Sequence, residues 1–448
     1  MFMDGVIYAT VARNLSLGLG DWWHLHLTNY LSPQYFDQPP LTIWITSFFF
    51  HLFGESMYTE RIYSFTTALI NLLLIKIVWQ KINHNNENYK AHWWLPVLLW
   101  IIPPACFWSY TNNLQENTMS IFILLSVYFI FDFFQRKQNR LIPIILMSLC
   151  IFLSAMCKGI QGTFPLIGLL AYSLTTNRST LTVAVEYTFI LLLILGFFGF
   201  GLYYYSPARD YFIGYFQTRI VNTFTNPNSA TTDNRFYLLY RLLMEEIIPI
   251  TLSIIVLISS RKIFSHSSKS AENKKSTFFF LTIALAGTLP LLITTEQRRF
   301  YLVPTYPFYA LAISFLIIEN ILCLVEHTKT KHLGKWINNA SIGLLSVVAL
   351  MTILNFGTAK RDKEMLGDIY KVGAIIPKNS EISIESNLYK VWILHLYFQR
   401  YYGISLDPNE NRISHRYLLS TKSFAPTNDF TKTNLQLENY NFYSKTKN

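Results

Sequence analysis

The chain has 448 residues, 51% of them hydrophobic and 16% aromatic but only 14% charged, with a formal net charge of +11. So few charges among so many apolar runs exclude an ordinary soluble protein. The basic excess lies in short loops between those runs, which argues against a nucleic-acid partner, and four scattered cysteines (Cys106, Cys150, Cys157, Cys323) make neither a disulfide framework nor a CxxC metal motif.

Met1-Phe2-Met3-Asp4-Gly5 opens a stretch in which Tyr8, Val11, Ala12 and Leu15 recur at helical spacing. The pattern predicts a short amphipathic helix lying in the membrane interface. Asp4 falls at its N-terminus, where the helix dipole favours negative charge, so a cap and a chemical role both fit it. Gly18 to Trp23 end the helix, and the two tryptophans suit the headgroup layer. His24 and His26 have a spacing that can serve a metal, but in a polar loop they read as a solvated pair. Pro39-Pro40 then restart a helix with apolar positions Leu41, Trp44, Ile45, Phe48 and Leu52, stopped by Gly54. It is too short to span and is predicted to lie along the surface.

About ten spans follow, at Thr59–Lys81, Trp93–Trp108, Asn117–Phe134, Leu141–Met156, Gly162–Thr175, Thr182–Tyr204, Leu242–Ser259, Thr277–Thr294, Tyr301–Ile318 and Asn338–Phe356. With this count, alternate loops hold Lys81 and Lys90, then Arg136, Lys137 and Arg140, then Arg178, then Arg261, Lys262, Lys269, Lys274 and Lys275, then Lys329, Lys331 and Lys335. That side is assigned to the cytoplasm. Residues 1–58, the turn at Lys158, the 205–240 loop, the Glu296–Arg299 turn and the tail fall outside. No signal peptide precedes them, so a transmembrane helix upstream of Met1 is expected. An in-frame stop codon just upstream of Met1 in the genomic sequence would argue against it.

The 205–240 loop carries Arg209, Asp210, Arg219 and Arg235 and is long enough to cover a site. After Phe356 the composition becomes that of a small α/β outer domain. Its expected parts are a strand at Glu381–Glu385, a helix from Asn387 to Tyr402 stopped by Gly403, and a disordered stretch beyond Leu419. His395 and His415 there read as structural. The expected organisation is a first outer loop with juxtamembrane helices over 1–58, a transmembrane domain over 59–356 and a periplasmic domain over 357–448.

Several motifs stand in one order: Asp4-Gly5-x-x-Tyr8-Ala9, Gly20-Asp21-Trp22, Tyr35-Phe36-Asp37-Gln38-Pro39-Pro40-Leu41-x-x-Trp44, Phe53-Gly54 and Glu60-Arg61-Ile62-Tyr63-Ser64. Asn112-Asn113-Leu114-Gln115-Glu116-Asn117, Cys157-Lys158-Gly159-Ile160-Gln161-Gly162 and Arg298-Arg299-Phe300-Tyr301-Leu302-Val303-Pro304 follow. Together they resemble the protein-mannosyltransferase and aminoarabinose-transferase-like glycosyltransferases (GT-C fold, family 39/83 type), down to about Phe356. The resemblance implies an all-α polytopic membrane protein with a small C-terminal α/β domain. It implies transfer of sugar from a polyprenyl-phosphate donor on the outer side of the membrane, with inversion, and a catalytic role for Asp4. Two departures stand out: many relatives have a second acidic residue where this chain has Gly5, and aminoarabinose transferases have Glu-Lys-Pro where it has Asp37-Gln38-Pro39. Gln38 cannot supply the lysine's charge, which weakens a specific assignment to aminoarabinose transfer.

The chemistry asks for a base near the acceptor, assigned to Asp4, and for cations on the departing phosphate. Lys158, Arg298 and Arg299 stand at outer span ends, where cations are otherwise depleted, and are expected to bind it. Arg61 fits a membrane anchor better, and joins Tyr8, Gln38, Asn112 and Asn113 as a supporting residue. Glu116 and Asp37 offer oxygen ligands for Mg²⁺ or Mn²⁺, or simply hydrogen-bond acceptors. The protein is expected in the bacterial inner membrane with its active site and C-terminus periplasmic, and its acceptor is expected to be a lipid, glycan or protein. A lipid-linked-saccharide flippase would instead gather polar groups at mid-membrane, often with internal repeats. A non-catalytic envelope-assembly protein is the third reading.

Overall fold

The computed structural model describes residues 1–225, 231–232, 234–261, 271–294, 296–327, 361–409, 415–424, 426 and 429–446, with scattered positions between 339 and 357. The chain divides into two compact units, Met1–Ser253 with Lys269–Leu316, and Ile254–Ser268 with Ile317–Asn448.

The first unit is helical. Helix α1 is Met3–Ser16 and α2 is Leu41–Phe53. α1 does not follow its predicted placement. α1 is buried on every side from Gly5 to Asn14, so it is a core helix rather than an interfacial one. Its Arg13, 1% exposed, is tolerated there because Nε donates to Glu55 Oε2 at 2.7 Å. α2 buries Thr42, Ile43, Thr46, Ser47 and Phe50 and leaves Phe48, Leu52 and Phe53 exposed. The expected apolar stripe therefore faces outward, as it should when the outer solvent is lipid tails.

The spans follow. α3 is Thr59–Ile82 and α4 Glu87–Ala91. α5 (Trp94–Ile101) and α6 (Pro104–Thr111) come next, then α7 (Gln115–Gln135) and α8 (Leu141–Lys158). A 3-10 stretch, Gly159–Ile167, leads to α9 (Gly168–Thr175), then α10 (Leu181–Tyr204), α11 (Ser206–Tyr215) and α12 (Asn222–Thr225). α13 (Tyr237–Ser260), α14 (Ala271–Thr288) and α15 (Tyr306–His327) complete the set. Among the described residues seven helical runs are long and apolar enough to cross a membrane, or eight with one bent pair. The span expected over 338–356 lies largely outside the described residues.

Two departures from straight spans matter. The helix expected at 93–108 is broken at Pro103-Pro104, and its halves, Glu87–Ile101 and Pro104–Thr111, meet at 82°. The break leaves backbone donors in an apolar setting, and Glu245 of α13 answers it by accepting from the Ala105 amide at 2.7 Å. The run Leu141–Thr175 reverses at Gly159, whose φ of 71° suits glycine. Gly162 then packs on the Ser154 backbone where a side chain would clash.

In the second unit α16 (Lys363–Gly373) and α17 (Trp392–Tyr402) accompany a five-stranded sheet. Its strands are β1 Glu381–Ile384, β2 Ser405–Asp407, β3 Tyr417–Thr421, β4 Phe430–Lys432 and β5 Tyr440–Lys445, in the order β2-β1-β3-β5-β4. β1 runs parallel to both neighbours, while β5 is antiparallel to β3 and β4. The disorder expected beyond Leu419 is corrected: β4 and β5 lie there, with Phe442 and Tyr443 buried. The expected helix begins with a 3-10 turn, Ser386–Lys390. His395 is fully buried, and His415 lies 2.9 Å from Asp407.

Candidate functional site

Six segments of the first unit bring their charges together: the first turn of α1, the loop before α2, the N-terminal end of α7, the C-terminal end of α8, the 216–225 stretch, and residues 296–301. Asp4 is half-buried on α1. Burial holds its carboxyl above the usual value, while Lys158, Arg298 and Arg219 pull it back and Glu296 adds to the rise. Asp37 behaves alike: burial raises it, Arg219 lowers it, and Asp4 and Glu296 raise it. Two carboxyls in one electrostatic neighbourhood compete for ionisation, so the cations decide which is charged.

Lys158 is the last residue of α8, aimed inward by the turn at Gly159. Its Nζ is 3.2 Å from Glu116 Oε1 and donates to the Tyr8 hydroxyl at 3.4 Å. It also lies over the Tyr8 and Tyr301 rings, 5.7 and 5.6 Å from their centroids. Burial, then the Asp4 charge, keep the Tyr8 phenol well above its ordinary value, so it stays protonated.

Arg219 was legible only as part of a covering loop. It lies on a π-helical turn, Phe216–Val221, a geometry that recurs at functional sites. One guanidinium nitrogen reaches Glu296 Oε1 at 2.5 Å, and Thr223 donates to Oε2 of the same carboxylate at 3.0 Å. Burial works against its charge, but Tyr301, Glu296, Tyr8 and Asp37 outweigh it and raise its pKa. The surrounding segment packs on the loop before α2: Tyr211 donates to the Gln38 carbonyl at 2.6 Å, and Gly214 meets the Phe36 ring. Gln38 thus contributes through its backbone.

Other expected residues are placed elsewhere. Arg299 follows Arg298 directly; Arg298 is extended (φ −124°, ψ 135°), so the two side chains diverge. The Arg299 guanidinium sits 4.7 Å from the Trp108 ring centroid, whereas Arg298 acts on Asp4. Arg61 is exposed and lies over the Tyr58 ring at 5.9 Å. Glu116, expected with Asp37 as a metal ligand, lies 3.2 Å from Lys158 Nζ. Among the described residues no group of three or more His, Cys, Asp or Glu is arranged to hold a metal. His24 bonds to Asp21, and His26 lies 2.9 Å from the Pro33 carbonyl. Asn112 and Asn113 are bonded to α1 itself.

A cavity of about 590 Å³ adjoins this cluster. Phe164, Ile167, Pro290, Leu291 and Ile293 make it mostly apolar, and Lys158 lies at its polar end with Gln161 and Tyr215. Two of its lining residues, Ile160 and Ile293, are 73% and 67% exposed, so the cavity has an apolar opening at the surface of the protein. An apolar trough with one buried cation, Lys158, in its lining suits an amphiphile with an anionic head.

Residues 37–204 match the family model described as dolichyl-phosphate-mannose-protein mannosyltransferase. No curated protein sequence matches the chain. Among solved structures it is similar to ArnT from Cupriavidus metallidurans bound to undecaprenyl phosphate, at 12% identity and TM-score 0.63 over 98% of this chain and 93% of that one. The apo state of the same protein gives 11% identity and TM-score 0.65 over the same shares. The Archaeoglobus fulgidus oligosaccharyltransferase in complex with Zn and sulfate gives 12% identity and TM-score 0.53 over 93% of this chain and 64% of that one. The chain has the GT-C glycosyltransferase fold, with a small C-terminal sheet domain.

Proposed function

We propose that this multi-pass membrane protein is a glycosyltransferase that moves a sugar from a polyprenyl-phosphate-linked donor to a lipid, glycan or protein acceptor, on the periplasmic side of a bacterial inner membrane. One observation carries the reading: Asp4 stands among Lys158, Arg219 and Arg298 next to an apolar trough that ends at Lys158. The trough takes the prenyl chain near its head, and the cations take the phosphate.

Asp4 accepts the proton of the acceptor nucleophile as that atom attacks the anomeric carbon. The bond from that carbon to the phosphate oxygen breaks, and its electron pair leaves with the prenyl phosphate. Attack from the face opposite the phosphate inverts the anomeric centre. Arg219 and Arg298 balance the charge that grows on the leaving group, and Arg219 can do so through two parallel N–H donors. A Mg²⁺ or Mn²⁺ ion would be held here by Asp4 or Asp37 together with water and the donor phosphate, since one or two carboxylates suffice for such an ion and it would add positive charge at the leaving group.

Two expectations follow. Because a base must be ionised, transfer falls as pH drops through the Asp4 pKa, so the acid limb of kcat/KM lies above the ordinary 3.8. Arg298 lowers that pKa, so Arg298→Ala moves the limb to higher pH; a pH–rate profile measures both. Arg219→Ala raises the donor KM about ten- to hundredfold, the worth of a charged hydrogen bond of roughly 1.5–3 kcal/mol. Initial rates against donor concentration report it.

Purified protein with a labelled polyprenyl-phosphate sugar tests the reading. Product formation supports it. Movement of donor across a vesicle without turnover would instead favour a flippase, and silence with all donor classes a scaffold.

A further inference from the structure

We infer that the segment Asn112-Asn113-Leu114-Gln115-Glu116-Asn117 is a positioning device that fixes Asp4 relative to Lys158. The inference rests on Asp4 being the base, and adds a role that the opening motif does not contain.

The segment joins α6 to α7 and grips α1 on both sides of Asp4. Asn112 Oδ1 accepts from the Phe2 amide at 2.6 Å, two residues before Asp4. Asn113 Nδ2 donates to the Gly5 carbonyl at 3.3 Å, one residue after it. Asn112 Nδ2 is bound to the Trp108 carbonyl at 2.7 Å, so both ends of this amide are used and its orientation is set. Asn113 has φ of 54°, a left-handed conformation that asparagine tolerates better than other side chains. It is 2% exposed, so its amide serves α1 rather than water.

Gly5 completes the fit. Any Cβ there would run into the Asn112 carbonyl, which accounts for glycine at this position.

The same segment also holds the cation. Glu116, three residues beyond Asn113, pairs with Lys158. Asn117 ties the segment down: its Oδ1 accepts from Ser109 Oγ at 2.5 Å, its Nδ2 donates to the Ser109 carbonyl at 3.1 Å, and its own carbonyl accepts from Asn71 of α3 at 2.9 Å. Four residues of this six-residue segment therefore set both the base and the lysine that acts most strongly on it. Rigid support of this kind governs rate more than affinity, because small errors in placing a base are costly.

The test compares full-chain Asn113→Gly, Asn112→Ala and Asp4→Asn in the labelled-donor assay, with kcat, KM and pH profile each measured. Asn113→Gly keeps the left-handed turn and removes only the amide, so it decides the question if Asn112→Ala does not fold. The expected result is a kcat loss of at least tenfold with donor KM unchanged within about threefold. An acid limb moved to lower pH should accompany it, as Asp4 becomes better hydrated. Wild-type kcat and pH profile in Asn113→Gly, beside an inactive Asp4→Asn, would overturn the positioning role and leave the base intact. An active Asp4→Asn would remove the base itself, and this inference with it.

Discussion

Asp4→Asn is expected to lower sugar transfer by about 10²–10⁴-fold without unfolding the protein, the range by which a positioned general base contributes. The substitution keeps the size of the side chain and the backbone ties of α1 to Asn112 and Asn113, which involve Phe2 and Gly5 rather than residue 4. It removes only the proton acceptor. The neutral amide also suits the site thermally. Burial raises the Asp4 pKa, so the ionised form is less favoured in the folded state than in the unfolded one. The ionised carboxylate therefore costs stability as pH rises through that value, and asparagine removes the cost. The variant should melt at or above the wild-type temperature near neutral pH. Turnover of labelled donor and a thermal melt check the two halves, and full retained activity would remove Asp4 from the mechanism.

Lys158→Met should act first on stability. Glu116 is fully buried, and Lys158 Nζ at 3.2 Å is its charged partner. Removing one member of a buried pair leaves the other uncompensated, which costs roughly 3–5 kcal/mol, whereas replacing both by neutral groups is often tolerated. The double variant Lys158→Met/Glu116→Gln should thus regain most of the lost melting temperature. It should not regain donor binding, because the cation at the end of the trough is still missing. If the single and double variants melt alike, the pair carries no such coupling.

Much of this site was legible because charge is scarce in a membrane chain. Asp4, Asp37, Lys158 and Arg298 stand out by type and by side, and the structure brings all four into one neighbourhood. Partnership was less legible. The pairing of Glu116 with Lys158 did not show because 42 residues separate them, across the α7–α8 hairpin. Arg299 and Arg298 are equivalent in composition, and only the local backbone separates them. Arg219 was hidden in a loop whose π-helical turn has no sequence signature. For α1, the spacing of Tyr8, Val11, Ala12 and Leu15 implied one wet face, but Thr10, Arg13 and Asn14 are satisfied internally and the whole helix is enclosed. In the tail, polar composition masked the short strands β4 and β5, the second of which buries four consecutive residues rather than alternating.

The trough beside Lys158, with Ile160 and Ile293 exposed on its rim, has a kinetic consequence. A substrate that enters from between neighbouring lipids arrives by two-dimensional diffusion within one leaflet, and its effective concentration is a mole fraction, not a molarity. Diluting the donor with inert phospholipid at constant total donor should therefore slow turnover, while diluting the whole suspension with buffer should leave the rate per protein unchanged.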